Sequence, residues 1–493
     1  MGEEVEERTF THADRTRYRQ KLRRCLEVFG QMLDEVRFDA SRPLMGCEIE
    51  LNLVDAQGDP AMRNAEVLDA ISHPDFQTEL GQFNVEINMP PRLLTGAALE
   101  ELEDELRAYL NSADESARRV GVRLMMIGIL PTIATDHLGA DAITANPRYQ
   151  LLNEQILAVR REDLRLEIDG VEQLRATADT VAPEAACTSV QFHLQVSPAS
   201  FAAYWNAAQA VAGVQLAVGA NSPYLFGREL WRETRIALFQ QATDTRSDEL
   251  KEQGVRPRVW FGDEWITSSF ELFEENVRYF SALLPICDEE DPGEALQRGA
   301  TPALAELRLH NGTVYRWNRP IYDVVDNVPH LRVENRVLPA GPTVADTLAN
   351  AALYYGLVRV LAEDEQPIWS QMPFRAAEEN FYAAARHGSA ARLFWPDVGE
   401  VPATELVLHR LLPMAQEGLR RWEVDAKIRD RLLGIIEQRC LIATTGAQWQ
   451  VETVHRLQKR WHCTRTEALR RMTLRYAEHM HSNQPVHTWP IDD

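Results

Sequence analysis

Lysine is nearly missing from this 493-residue chain, which has only Lys21, Lys251, Lys427 and Lys459. Arginine carries almost all the positive charge, so recognition of phosphate or carboxylate falls to planar, bidentate guanidinium groups. Net positive charge is missing too. A formal charge of -22 excludes general nucleic-acid binding, because an acidic surface repels phosphate backbones and any phosphate ligand must meet a local basic pocket. Cys25, Cys47, Cys187, Cys287, Cys440 and Cys463 are scattered, without a CxxC pair or zinc-like spacing. That excludes a disulfide framework and fits free thiols in a reducing cytoplasm. The longest apolar run, Leu124 to Leu130, is far too short to cross a bilayer. The opening Met1-Gly2-Glu3-Glu4-Val5-Glu6-Glu7 has neither the basic region nor the apolar run of a signal peptide. Internal repeats, low-complexity tracts, a GxGxxG after a strand and a GxxxxGK[ST] are also absent, so the usual nucleotide loops are excluded.

What the chain does have is four short stretches that alternate apolar and polar residues. In 46–53, Cys47, Ile49, Leu51 and Leu53 share one face of a predicted strand, and Glu48, Glu50 and Asn52 share the other. In 83–88, Glu86 lies between Asn84 and Asn88. In 188–196, Gln191, His193 and Gln195 align. In 331–337, Arg332, Glu334 and Arg336 align. Alternation alone means an antiparallel sheet with its second face in water. A solvated face usually carries Thr, Lys and Ser, however, whereas these four carry carboxylates, amides, imidazole and guanidinium. If they share one sheet, that face is a site. Clustered carboxylates repel unless cations compensate them, so the face implies a bound divalent metal. Oxygen ligands favour Mg²⁺ or Mn²⁺ over Zn²⁺.

The remaining pattern supplies cover for such a sheet. Residues 14–36 and 99–120 are predicted amphipathic helices, and 122–129 a further strand. Segments 135–146 and 242–257 read as surface loops, with a lid role as the alternative. Asn311-Gly312-Thr313 reads as a turn. After Pro342 the alternation disappears: 343–362 and 403–442 read as helices, and 456–475 as a basic helix with a solvated face. His479, His481 and His487 fall in a polar tail expected to fray, and Cys47 and Cys187 read as small core residues. The expected division is therefore 1–342, a catalytic sheet-and-helix portion, and 343–493, a helical portion packed on it.

An ordered set of motifs resembles the glutamate–cysteine ligase superfamily, in particular its bacterial second family. Gly46-Cys47-Glu48-Ile49-Glu50 is similar to the family's Gly-x-Glu-x-Glu strand, and Glu79 to Pro90, containing Glu86, to its second acidic segment. Pro147-Arg148-Tyr149 resembles an Arg-Tyr element, and Gln191-Phe192-His193 stands where the family has His-x-His or Gln-x-Asn. Ala220-Asn221-Ser222-Pro223-Tyr224 is similar to an Asn-Ser-Pro-aromatic turn, Arg235-Ile236-Ala237-Leu238-Phe239 to an Arg-Thr-Ala-Leu-Trp helix, and Glu334-Asn335-Arg336 to a late Glu-x-Arg strand.

The resemblance implies an α+β, glutamine-synthetase-like fold: a curved, mostly antiparallel sheet covered by helices on one face, with a helical C-terminal portion. It also implies ATP-dependent ligation of L-glutamate to the amine of L-cysteine through a γ-glutamyl phosphate. The expected metal ligands are Glu48, Glu50, Glu79, Glu86 and Glu334, with Gln191 or His193 completing one coordination sphere. Arg235, Arg336 and Arg332 are the expected catalytic cations, and Arg148, Arg235 and Asn221 the expected nucleotide contacts. Such chemistry needs Mg²⁺, or Mn²⁺, and Arg because two anions must meet. The partners are small molecules, with neither nucleic acid nor membrane. The acceptor amine carries no signature in the sequence. A different amine or carboxylate, a metal-dependent hydrolase, and a non-catalytic ATP or amino-acid sensor are the other readings the motifs permit.

Overall fold

The structure is a computed structural model that describes residues 10–35, 38–40 and 43–491. The reading of residues 1–7 and the expected helix end at Val36 lie outside the described residues. Seven strands form the principal sheet: β1 (Leu44–Val54), β2 (Phe76–Thr78), β3 (Asn84–Leu93), β4 (Arg123–Met125), β5 (Val190–Val196), β6 (Asn318–Val325) and β7 (Val328–Asn335). Their order is β6-β7-β5-β1-β3-β2, with β4 on the far half of β1, and every pair is antiparallel. All four alternating stretches therefore lie in this sheet, on four consecutive strands, β7, β5, β1 and β3.

Helices pack around the sheet. They include α1 (His12–Glu35), α2 (Ala98–Arg119), α3 (Pro147–Arg160), α4 (Pro198–Gly219), α5 (Thr234–Ala242), α6 (Val344–Ala362), α7 (Gly446–Trp461) and α8 (Arg465–Ser482). Caps set several starts. Asn146, Ser197 and Thr343 accept from the backbone N–H of Arg148, Ser200 and Asp346, with Pro147 and Pro198 opening α3 and α4. Helices α4 and α6 are apolar around nearly their whole circumference and almost entirely buried, as a helix inside a core must be. Phe192 of β5 packs on Tyr354 and Tyr355 of α6, at ring-centroid distances of 6.3 and 6.0 Å. The Tyr355 hydroxyl donates to the His193 carbonyl at 3.0 Å. Residues on both sides of Pro342 thus share one continuous core.

Several expected elements differ in extent. The 122–129 strand pairs only over Arg123–Met125, because the chain then leaves the sheet: Met126 N–H turns to the Met480 sulfur and Gly128 N–H to the Asn221 carbonyl. The 403–442 helix is interrupted at 422–425, where Glu423 is left-handed (φ 58°) and Val424 bridges to Gly96. The 456–475 helix is the end of α7 and the start of α8, separated at left-handed His462 and restarted by the Thr464 cap. The tail does not fray. Met480 and Trp489 are buried, the His479 ring stacks on Trp489 at 5.1 Å, and His481 faces Asp114 at 3.5 Å. The C-terminal portion also holds a strand pair, Arg392–Trp395 with Gly399–Pro402. Segment 242–257 contains a short helix, Asp248–Glu252, and 135–146 two 3₁₀ turns.

Candidate active site

Antiparallel register collects the acids. Glu48 lies opposite Gln191 on one side and Asn88 on the other, Glu50 opposite Glu86, and Glu334 opposite His193. Gln77 of β2 pairs with Glu86, so the chain leaving β2 brings Glu79 back to the same place. These acids line a cavity of about 810 Å³. They fall into two groups, Glu48 with His193 and Glu334, and Glu50 with Glu79 and Glu86. In each group one ligand atom per residue lies within 4.8 Å of the others.

The first group is already compensated by cations. Arg319 forks onto Glu334, Nε to Oε2 at 2.6 Å and Nη2 to Oε1 at 2.9 Å, and Arg336 Nη1 lies 3.3 Å from Oε2. Burial alone would raise the Glu334 pKa, but the charges of Arg319, Arg336 and His193 hold it well below the usual range. Burial likewise opposes ionisation of Glu48, and His193 overcomes it, lowering the carboxyl to about 2. His193 Nε2 lies 3.1 Å from Glu48 and 4.0 Å from Glu334, buried and without an aligned hydrogen bond. Its Nδ1 accepts from Arg332 Nε at 3.2 Å, which favours the tautomer protonated at Nε2. A metal here would have to displace that proton to gain a lone pair, so in this arrangement the group offers an ion its two carboxylates first.

The second group is different. Glu50 accepts from Ser189 N–H at 2.6 Å, Ser189 Oγ at 3.1 Å and Gln191 Nε2 at 3.1 Å. Burial and the charge of Glu79 nevertheless push it up to about 7 against the pull of Arg336. Glu86, which accepts from Asn88 at 2.8 Å, is driven well up by burial and by Glu48, Glu79 and Glu50. Burial also raises Glu79. Buried carboxylates whose ionisation is opposed for want of positive charge are the condition a divalent cation relieves. An all-oxygen donor set suits Mg²⁺ or Mn²⁺. The residues fit such an ion.

Gln191 spans the two groups. Its Oε1 accepts from Arg336 Nη1 at 2.7 Å while its amide donates to Glu50, so it links cation to acid. Arg336, Arg332 and Arg148 all line the cavity, Arg148 from the first turn of α3. Arg235 and Asn221 do not. Arg235 is buried behind Arg336, where it pairs with Glu233 at 3.1 Å and donates to the backbone carbonyls of Arg336 and Val337. Asn221 is fully buried, donating to the Ala340 carbonyl and the Tyr476 hydroxyl and accepting from Gln450, each at 2.8 Å. Both therefore fasten the segment that follows Arg336.

Arg319 and Glu184 line the cavity from outside the expected set. Arg319 had a signal: Arg319, Ile321 and Asp323 alternate, and Asp326-Asn327, both at positive φ, is a two-residue hairpin turn that sets Arg319 opposite Glu334. Glu184 had none, because it sits on an irregular 3₁₀ turn, Ala182–Ala186. Burial, Glu79 and Glu50 raise its carboxyl to about 8.

An antiparallel sheet curled into a half-barrel, with carboxylates and arginines facing one cavity, defines a glutamine-synthetase-like fold of the carboxylate–amine ligase class. The chain belongs to glutamate–cysteine ligase family 2, whose profile matches residues 44–462. No curated protein matches the sequence. Among solved structures, the fold is similar to a glutamate–cysteine ligase from Francisella tularensis in complex with AMP. That likeness has a TM-score of 0.56 at 12% identity and covers 92% of this chain and 91% of the other. It is also similar to a bifunctional glutathione synthetase from Pasteurella multocida, with a TM-score of 0.50 at 12% identity, covering 93% of this chain and 55% of that one.

Proposed function

We propose that the protein is an ATP-dependent glutamate–cysteine ligase. The γ-phosphoryl group of ATP passes to the γ-carboxylate of L-glutamate, releasing ADP. The amine of L-cysteine then attacks the acyl carbon, phosphate leaves, the nitrogen loses a proton, and γ-glutamylcysteine results. The observation that carries this reading is the meeting of two carboxylate groups across Arg336 and Gln191 in one cavity. Glu50, Glu79 and Glu86 would hold one divalent ion. Glu48 and Glu334 would hold a second, with His193 against them and Gln191 at the boundary. Bound Mg²⁺, or Mn²⁺, supplies the positive charge that lets a nucleotide phosphate approach a carboxylate.

The remaining roles belong to the chain itself. Arg336 reaches both acid groups and is the cation to neutralise charge on the transferred phosphoryl group. Arg332 and Arg148 extend the positive lining toward the substrate carboxylates and the nucleotide. Arg235 and Asn221 serve through the segment that carries Arg336. Six free cysteines support a reducing, cytoplasmic setting, and no helix among the described residues is long and apolar enough to cross a membrane.

The test is ADP release with Mg-ATP and L-glutamate, with and without L-cysteine and then with other amines, the products being weighed by mass spectrometry. Cysteine-dependent release with a γ-glutamylcysteine mass is expected. Turnover only with another amine would keep the chemistry and change the substrate. ATP binding without turnover across the panel would replace the enzyme reading with that of a sensor.

A further inference from the structure

Each of the other carboxylates in the two acid groups has a hydrogen-bonding or charged neighbour within the protein. Glu334 has Arg319, Glu48 faces His193, Glu50 has Ser189, Glu86 has Asn88, and Glu79 accepts from the Leu80 N–H. Glu184 stands apart. Among the described residues its carboxylate accepts no hydrogen bond and joins no ion pair, although it lines the same cavity and is only partly exposed. Its turn runs along the acids themselves: Ala185 lies against Gly81, two residues after Glu79, and the chain then reaches Ser189, which holds Glu50. The charge of Glu184 acts on Tyr149 and Tyr315, and both rings line the cavity.

A half-buried carboxylate without a partner, in a cavity that it shares with two tyrosine rings, is a receptor for a cation brought by a ligand. The phosphates and substrate carboxylates are anions, so the ligand group must be an ammonium. Two ammonium groups are available in the ligase reading, on which this inference rests. That of the carboxylate donor lies a side-chain length from the carboxyl being activated. That of the acceptor must reach the activated carbon itself, and the 182–186 turn runs beside Gly81 and on to the Ser189 that holds Glu50. We propose that Glu184 receives the ammonium group of the acceptor substrate, so that the 182–186 turn governs which amines the enzyme takes.

The test compares wild type with Glu184→Gln, using L-cysteine and hydroxylamine as alternative nucleophiles with Mg-ATP and L-glutamate. Hydroxylamine is largely uncharged at neutral pH and needs no carboxylate to hold it. It displaces phosphate from the acyl phosphate, losing one proton, to give the hydroxamate. The expected result is a rise of about tenfold or more in KM for cysteine. The KM values for ATP and glutamate and the rate of hydroxamate formation should stay within about twofold, with Glu184→Asp recovering part of the cysteine KM. An unchanged cysteine KM would overturn the assignment, as would a rise confined to glutamate, which would give Glu184 to the donor. If Glu184→Gln melts well below wild type, Glu184→Asp decides: a cysteine KM as low as wild type with altered glutamate KM refutes the proposal. Wild type that forms no hydroxamate at all would instead remove the ligase reading, and the proposal with it.

Discussion

At the scale of single residues, the two acid groups differ in electrostatics although both draw on carboxylates of the same sheet. Glu334 and Glu48 are ionised by protein cations, so their charge is available before any metal arrives. Glu48→Ala or Glu334→Ala is expected to abolish Mg²⁺-dependent turnover while the fold persists, measured as ADP release alongside circular dichroism. Near-normal turnover in either variant would sink the metal-site assignment. Arg336 reaches both groups, Glu334 directly and Glu50 through Gln191. Arg336→Lys keeps the charge but loses the fork, and a fall of about 100-fold in kcat is expected. A loss no larger than that of an exposed arginine such as Arg375 would refute the role.

At the scale of elements, the strand that carries Arg336 is held from behind. Arg235, at the start of α5, clamps the carbonyls of residues 336 and 337, and its partner Glu233 accepts from Asn221 N–H and Ser222 Oγ at 2.8 Å each. The Asn-Ser-Pro turn and the Arg-Ile-Ala helix are thus one fastening, reaching Tyr476 of α8 through Asn221. Arg235→Met leaves Glu233 buried without its cation, and breaking such a pair costs about 3–5 kcal/mol. Urea unfolding should show a loss of that order, with turnover falling as Arg336 loses its support. A variant of normal stability would mean that solvent or another group replaces the clamp. These two motifs were legible in the sequence as motifs. Their burial was not, because arginine and asparagine are usually exposed, and only contact with 336–340 decides that they face inward.

At the scale of the whole molecule, the principal sheet gathers buried carboxylates into one cavity, and stability should report it. The folded-state pKa values of Glu50 and Glu184, about 7 and about 8, lie above the ordinary carboxylate value of 4.5. The native state therefore binds more protons than the unfolded state between those limits, and stability falls as pH rises through that window. Metal-free protein should melt several degrees lower at pH 8 than at pH 5.5, by roughly 1–3 kcal/mol per group. Mg²⁺ should restore the loss at pH 8 and do little at pH 5.5. Glu48 and Glu334 act in the opposite sense, losing their contribution only as pH drops below about 4.5. A melting temperature that rose with pH in the absence of metal would contradict the arrangement. The sequence by itself determined which residues share a strand face, because a strand's period of two is written locally. It thereby determined the acidic, arginine-served chemistry and, through ordered motifs, the family. Only the tertiary structure decided which strands are neighbours, that Glu48 belongs with Glu334 and Glu50 with Glu79 and Glu86, and that Arg319 and Glu184 join the cavity. Register between distant strands and the approach of an irregular turn depend on packing across the core, which no local pattern encodes.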